Sequence, residues 1–182
     1  MTELFADGTL FMRREGSDYV IEDDSGVVAR VDERPLETTQ ELRHLLRGLV
    51  DRNATPHAVW QIRDAEGQHR LDLEAELGDR TNAHLTVSRP GGEVVGTVVA
   101  SGGMFTVFPV FSFRDRTGTP LGRLTTKGAP CAYDAAGREI AGVTFGSTRP
   151  ACGKLVCEVR FVGVVPALSR VLVVAALIAW ER

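Results

Sequence analysis

The chain has 182 residues, 43% hydrophobic and 25% charged, with a formal net charge of −3. That size and composition suit one soluble globular domain spanning 1–182, large enough to bury a core without disulfide staples. The charge excludes a generally basic nucleic-acid binder, and the apolar content excludes an acidic disordered chain.

The charge is unevenly spread. Residues 1–90 hold 11 Arg and 18 Asp+Glu, or −7; residues 91–182 hold 10 basic and 6 acidic, or +4. Such a split orients a protein toward a negative partner, although ordinary solvated loops produce it too. The opening MTELFADGTL has neither the basic start nor the apolar stretch of a signal peptide. Three cysteines, Cys131, Cys152 and Cys157, cannot all pair, so a reducing cytoplasmic setting is expected. They lack the further nearby ligands of a zinc site, so no metal is expected.

A first hairpin is expected in ELFADGTLFMRR, turning at Asp7-Gly8. Five further segments repeat one pattern: an extended apolar run, Asp, two residues, Gly, then a second extended run. They are YVIEDDSGVVARV (Asp23, Gly26), VWQIRDAEGQHRLDL (Asp64, Gly67), HLTVSRPGGEVVGTVV (Arg89 in the Asp place, Gly92), VFSFRDRTGTPLGRL (Asp115, Gly118) and CAYDAAGREIAGVTF (Asp134, Gly137). Asp accepts hydrogen bonds from backbone donors just ahead of it, and Gly adopts the positive φ of tight hairpin turns. The fourth residue after the Gly is small in three of them: Gly96, Gly122 and Ala141. The Gly-to-Gly intervals of 41, 25, 26 and 19 exclude a strict-period solenoid. Six hairpins give about twelve strands, too many for one flat sheet, so a closed antiparallel barrel is expected.

Two segments break the β pattern. Residues 37–50, ETTQELRHLLRGLV, place Leu42, Leu45, Leu46 and Leu49 at helical spacing, with Thr39 as a cap. Arg43, Arg47 and Arg52 fall off that stripe. A solvated polar face is the plainer reading; contact with lipid headgroups is the functional one, and these three are the candidate ligand-binding residues.

The second segment is FVGVVPALSRVLVVAALIAWER. Pro166 marks a helix start, so the helix covers about 167–182, and Val171 to Trp180 is apolar on every side. The 20 residues from Phe161 to Trp180 nominally reach across a bilayer. Pro166 and Gly163 spoil the first part of such a span, and Arg170 in its middle costs about 2.5–3.5 kcal/mol. A helix enclosed by the barrel reads the same way, and is the expectation here.

No set of acid, base and nucleophile points to a reaction. His44, His57, His69 and His84 lie in no catalytic motif; surface histidines are the plainer reading, although His69 and His84 could approach each other across strands. The Gly-rich stretches RPGGE and SGGMF lack the strand-to-helix setting of a phosphate loop. A non-enzymatic protein without cofactor is expected.

The order LFADGTLFMRR, YVIEDDSGVVARV, QELRHLLRGL, VWQIRDAEGQ and the closing ALSRVLVVAALIAWER resembles the LURP-one-related and phospholipid-scramblase-like proteins of the tubby C-terminal-like superfamily. The resemblance covers about residues 3–182. It implies a closed barrel of about twelve strands around a hydrophobic C-terminal helix. It also implies binding of anionic lipid or phosphoinositide, peripheral to a membrane. The alternative, which rests on the lack of a basic cluster denser than ordinary surface, is a scaffold domain with a protein partner and no lipid role; no nucleic acid is expected, given the net charge of −3. Departures matter. The acidic D-x-D-x-D loop of calcium-dependent relatives is missing before the terminal helix, where the chain reads ACGKLVCEVRFVGVV. A proline-rich N-terminal extension and a cysteine cluster suited to palmitoylation are missing too. Calcium-driven lipid movement is therefore not carried over.

Overall fold

A computed structural model of the chain describes residues 4–5, 8–34, 57–77, 82–101, 108–148 and 155–180. Twelve strands close into an antiparallel barrel. In chain order they are β1 (Thr9–Glu15), β2 (Asp18–Asp23), β3 (Gly26–Arg34), β4 (His57–Asp64), β5 (His69–Leu77), β6 (Asn82–Ser88), β7 (Val94–Ser101), β8 (Val110–Asp115), β9 (Pro120–Thr125), β10 (Cys131–Asp134), β11 (Glu139–Thr148) and β12 (Leu155–Phe161). One helix, α1 (Ala167–Trp180), follows them. Every strand pairs with its sequence neighbours, and β12 closes on β1, Thr9 facing Arg160 and Met12 facing Cys157. Closure leaves no edge unpaired among the described strands.

The strands alternate as the barrel requires. On β4, Ala58, Trp60 and Ile62 are buried; on β7, Gly96, Val98 and Ala100 are, while Val95, Thr97 and Val99 are half-buried. Helix α1 fills the lumen. All ten residues from Ser169 to Ile178 are buried, nearly three turns, so no face of the helix meets solvent there. Each buried Val, Leu or Ile side chain contributes about 1.5–3 kcal/mol. The apolar run that could have spanned a membrane is thus the core of the barrel. No helix among the described residues is long and apolar enough to cross a membrane.

A meander sends alternate connections to opposite ends. The five D-x-x-G connections join β2 to β3, β4 to β5, β6 to β7, β8 to β9 and β10 to β11, so all five lie at one end, here the turn rim. The link from β12 to α1 lies there too. Four of the turns share one geometry. The N–H groups of Gly67, Gly92, Gly118 and Gly137 donate to the carbonyls of Asp64, Arg89, Asp115 and Asp134 at 2.9–3.0 Å. The returning N–H of the first residue donates to the carbonyl four positions on, for example Asp115 to Thr119 at 3.0 Å. Each Gly has φ between +79° and +89°, as a three-residue loop with a glycine bulge demands. The turn at Asp23 is tighter, with Asp23 directly opposite Gly26.

The small residues after the turns have a packing cause. Gly96 and Ala141 are the first lumen-facing positions of their returning strands. A Cβ on Gly96 would stand 3.2 Å from a Leu172 methyl of α1. Gly122 instead admits the backbone of β10, since its Cβ would meet the Tyr133 carbonyl oxygen at 2.1 Å.

One expectation needs correction, and one open alternative is decided. The hairpin at Asp7-Gly8 does not form among the described residues: β1 starts at Thr9 and turns into β2 at Gly16-Ser17. The strand count closes because β12, from LVCEVRF, pairs with β1. His69 and His84 do not meet. His84 lies opposite Glu76, seven positions along β5 from His69, or about 23 Å. The helical segment 37–50 and Arg43, Arg47 and Arg52 lie outside the described residues.

Candidate functional site

Helix α1 occupies the lumen. At the turn rim, where α1 begins, a groove of about 500 Å³ opens between the β4–β5 and β6–β7 hairpins. Leu4, Leu71, Pro90, Val95, Leu168 and Val171 give it apolar walls. His69, Arg70 and Arg89 supply its polar lining, which contains no carboxylate. Leu71 is the first lumen-facing residue after Gly67, where other turns use Gly or Ala, and its side chain forms part of the groove wall.

The charges around the groove have defined partners. Arg70 donates its Nε–H to Asp64 at 2.5 Å, and Arg89 donates to Glu93 at 2.8 Å. Each carboxylate takes one of the five N–H donors that a guanidinium carries. Both arginine side chains keep over a third of their surface in solvent, where such pairs contribute only about 0–1 kcal/mol and exchange readily. Burial pushes the Asp64 carboxyl up, but the Arg70 hydrogen bond, the Gln68 N–H and the Arg70 charge outweigh it and hold the group below its ordinary range. Asp64 is therefore an anion that fixes Arg70. His69 Nε2 lies 2.9 Å from Asp72 and 3.2 Å from Gln61, and these contacts orient the ring.

Arg89 is the residue that breaks the turn pattern. The Asp115 carboxylate accepts the Thr117 and Thr119 N–H groups at 2.8 and 2.9 Å, and Asp134 accepts those of Ala136 and Arg138 at 2.9 Å. Arginine cannot accept these bonds, and its turn instead carries a cation at the groove. The sequence signal was present as a departure from the repeat, but it did not point to Arg70, His69 or α1 as neighbours.

A second cleft, of about 490 Å³, lies on the outer wall over β10–β12, lined by Pro130, Cys131, Tyr133, Glu139, Gly142 and Arg160 among others. Burial pushes the Cys131 thiol up in pKa, and its hydrogen bond with Cys131 raises Tyr133. A thiol held protonated is a weak nucleophile. Cys157, which faces the barrel core, is buried as well. Among the described residues, no group of three or more His, Cys, Asp or Glu is placed to hold a metal ion.

Large apolar side chains are exposed at both ends. Val162 and Val164, on the link into α1, stand out at the turn rim, Val164 with 93% of its surface exposed. At the far rim Phe108 and Phe145 are exposed, and Phe145 stacks edge-on against Trp180 at 4.7 Å.

No protein-family model, curated protein or solved structure matches the chain.

Proposed function

We propose that the protein is a non-enzymatic binding module that recognises an anionic lipid headgroup at a membrane surface through its turn rim. One observation carries this reading: the groove beside α1 has apolar walls and, among the described residues, a polar lining of two guanidinium groups and an imidazole, each oriented by a carboxylate (Asp64, Glu93 and Asp72) that stands outside the lining. The exposed Val162 and Val164 on the same rim add apolar surface that a bilayer interface accommodates. The resemblance to the LURP-one-related and scramblase-like proteins supports the same ligand class. The test is flotation of the purified protein with neutral, anionic and phosphoinositide-doped vesicles at low and physiological salt. Selective flotation that weakens with salt is expected. A folded protein that ignores every vesicle overturns the reading.

A second reading, a scaffold domain for a protein partner, draws on the far rim. There Phe108 and the Phe145–Trp180 pair present aromatic surface of the kind enriched in protein interfaces. That reading expects indifference to vesicles and loss of partner capture when Phe145 is replaced by Ser.

A further inference from the structure

The groove at the turn rim is half open to solvent, and its shape says more about the ligand than charge alone does. Its walls come from four separated parts of the chain: Leu4, the start of β5, the Arg89–Val95 segment and the first turns of α1. At about 500 Å³ it falls in the size range of small-molecule sites. The cations and the apolar residues have separate origins. Arg89 is carried on a hairpin turn, and Arg70 is steered by Asp64 at the edge of the next hairpin. Leu71, Leu168 and Val171 line it from the side of the filled lumen, where Leu71 and Val171 are buried. An occupant that satisfies both parts has a compact anionic head and one apolar chain.

We infer that the groove binds the monomeric anion of a single-chain fatty acid, its carboxylate at Arg70 and Arg89 and its first methylenes against Leu71, Leu168 and Val171. A carboxylate matches the planar fork of an arginine, and two arginines offer it more than one such fork. The single chain follows from the size of the groove and from its setting against a lumen already filled by α1, which leaves nowhere for a second chain to be buried. The inference rests on reading the turn rim as the anion-binding face.

The test is calorimetric titration of the full chain with octanoate, decanoate and dodecanoate, each below its micelle concentration, beside the alcohols of equal length. Burial of successive methylenes is expected to tighten binding about fourfold for each one accommodated, with a plateau once the groove is full. The acids are expected to bind at least about tenfold more tightly than the alcohols, with the difference shrinking as salt rises. Arg89→Gln, at an exposed turn position, is expected to weaken the acids several-fold and leave the alcohols unchanged, with its melting curve reporting that the fold is intact. Equal binding of acids and alcohols, absence of saturable binding, or acid binding unaffected by Arg89→Gln together with Arg70→Gln overturns the inference. The two proposals separate cleanly. Salt-sensitive vesicle flotation without fatty-acid binding removes the single-chain ligand alone, whereas fatty-acid binding without flotation removes the membrane-surface reading alone.

Discussion

Gly96 and Leu172 set the distance between the barrel wall and its core: a Cβ on Gly96 would lie 3.2 Å from a Leu172 methyl and 2.8 Å from the Arg114 carbonyl oxygen. Backbone cannot yield as a flexible side chain does. Gly96→Val is therefore expected to overpack this layer and cost about 1–3 kcal/mol. Urea unfolding checks it, with a lowered midpoint at unchanged slope as the expected outcome. Wild-type stability in Gly96→Val would show that α1 sits more loosely than described.

The helix is the core, so a charge on it has nowhere to go. Leu172→Asp places a carboxylate in the fully enclosed lumen, and an unpaired buried charge costs enough to exhaust a domain's stability of about 5–15 kcal/mol. The variant is expected to lose its cooperative melting transition. Circular dichroism on heating is the check, and a melt like that of the wild type would place α1 outside the barrel.

The turn aspartates make folding acid-sensitive. The Thr117 hydroxyl, with the backbone N–H groups of Thr119 and Thr117, holds the Asp115 carboxyl below its ordinary value of 3.8, against some burial. The Arg138 N–H and side chain do the same for Asp134. A carboxyl depressed in the folded state contributes stability that is complete above the unfolded value and fades as pH falls through the folded one. The loss is thus expected below about pH 4. An Asp115→Asn, Asp134→Asn double variant should show a flatter dependence of unfolding free energy on pH between 5 and 2. An identical slope would mean the turns carry no such coupling.

Arg89 trades turn stability for a cation at the groove. Arg89→Asn restores a side-chain acceptor for the turn N–H groups, as Asp115 and Asp134 provide in theirs. A net gain of about 0.5–1.5 kcal/mol is expected, with loss of anion binding. A higher melting temperature paired with weaker vesicle flotation is the outcome that fits; lower stability would show that the Arg89–Glu93 pair matters more than the missing acceptor.

The arginines at 43, 47 and 52 remain a separate candidate surface. Reversing Arg43 and Arg47 together to Glu tests them in the same flotation assay. A several-fold drop comparable to that of Arg89→Asn would add them to the binding face. Unchanged binding would leave the turn rim as the site.

What the sequence determined by itself is the local chemistry. Asp64, Asp115 and Asp134, each three residues before a Gly, specify a turn through bonds made within five residues, so the hairpins are legible without knowing what they pack against. The run from Val171 to Trp180, apolar all round, left a core helix or a membrane span, and Pro166, Gly163 and Arg170 favoured the enclosed helix. The small residues at 96, 122 and 141 were visible as a pattern, but their cause was not. The Gly96 contacts belong to the Arg114 backbone of β8 and to Leu172 of α1, the latter some 76 positions later in the chain. The sequence also assigned the wrong partner to β1, since nothing local in LFMRR says that it closes on LVCEVRF. The groove needed the tertiary structure throughout. Its walls at Leu4, Leu71, Arg89 and Leu168 meet only because the barrel closes and α1 enters the lumen from the turn rim. Long-range closure arises from summed burial over many residues, and no single residue's spacing encodes it.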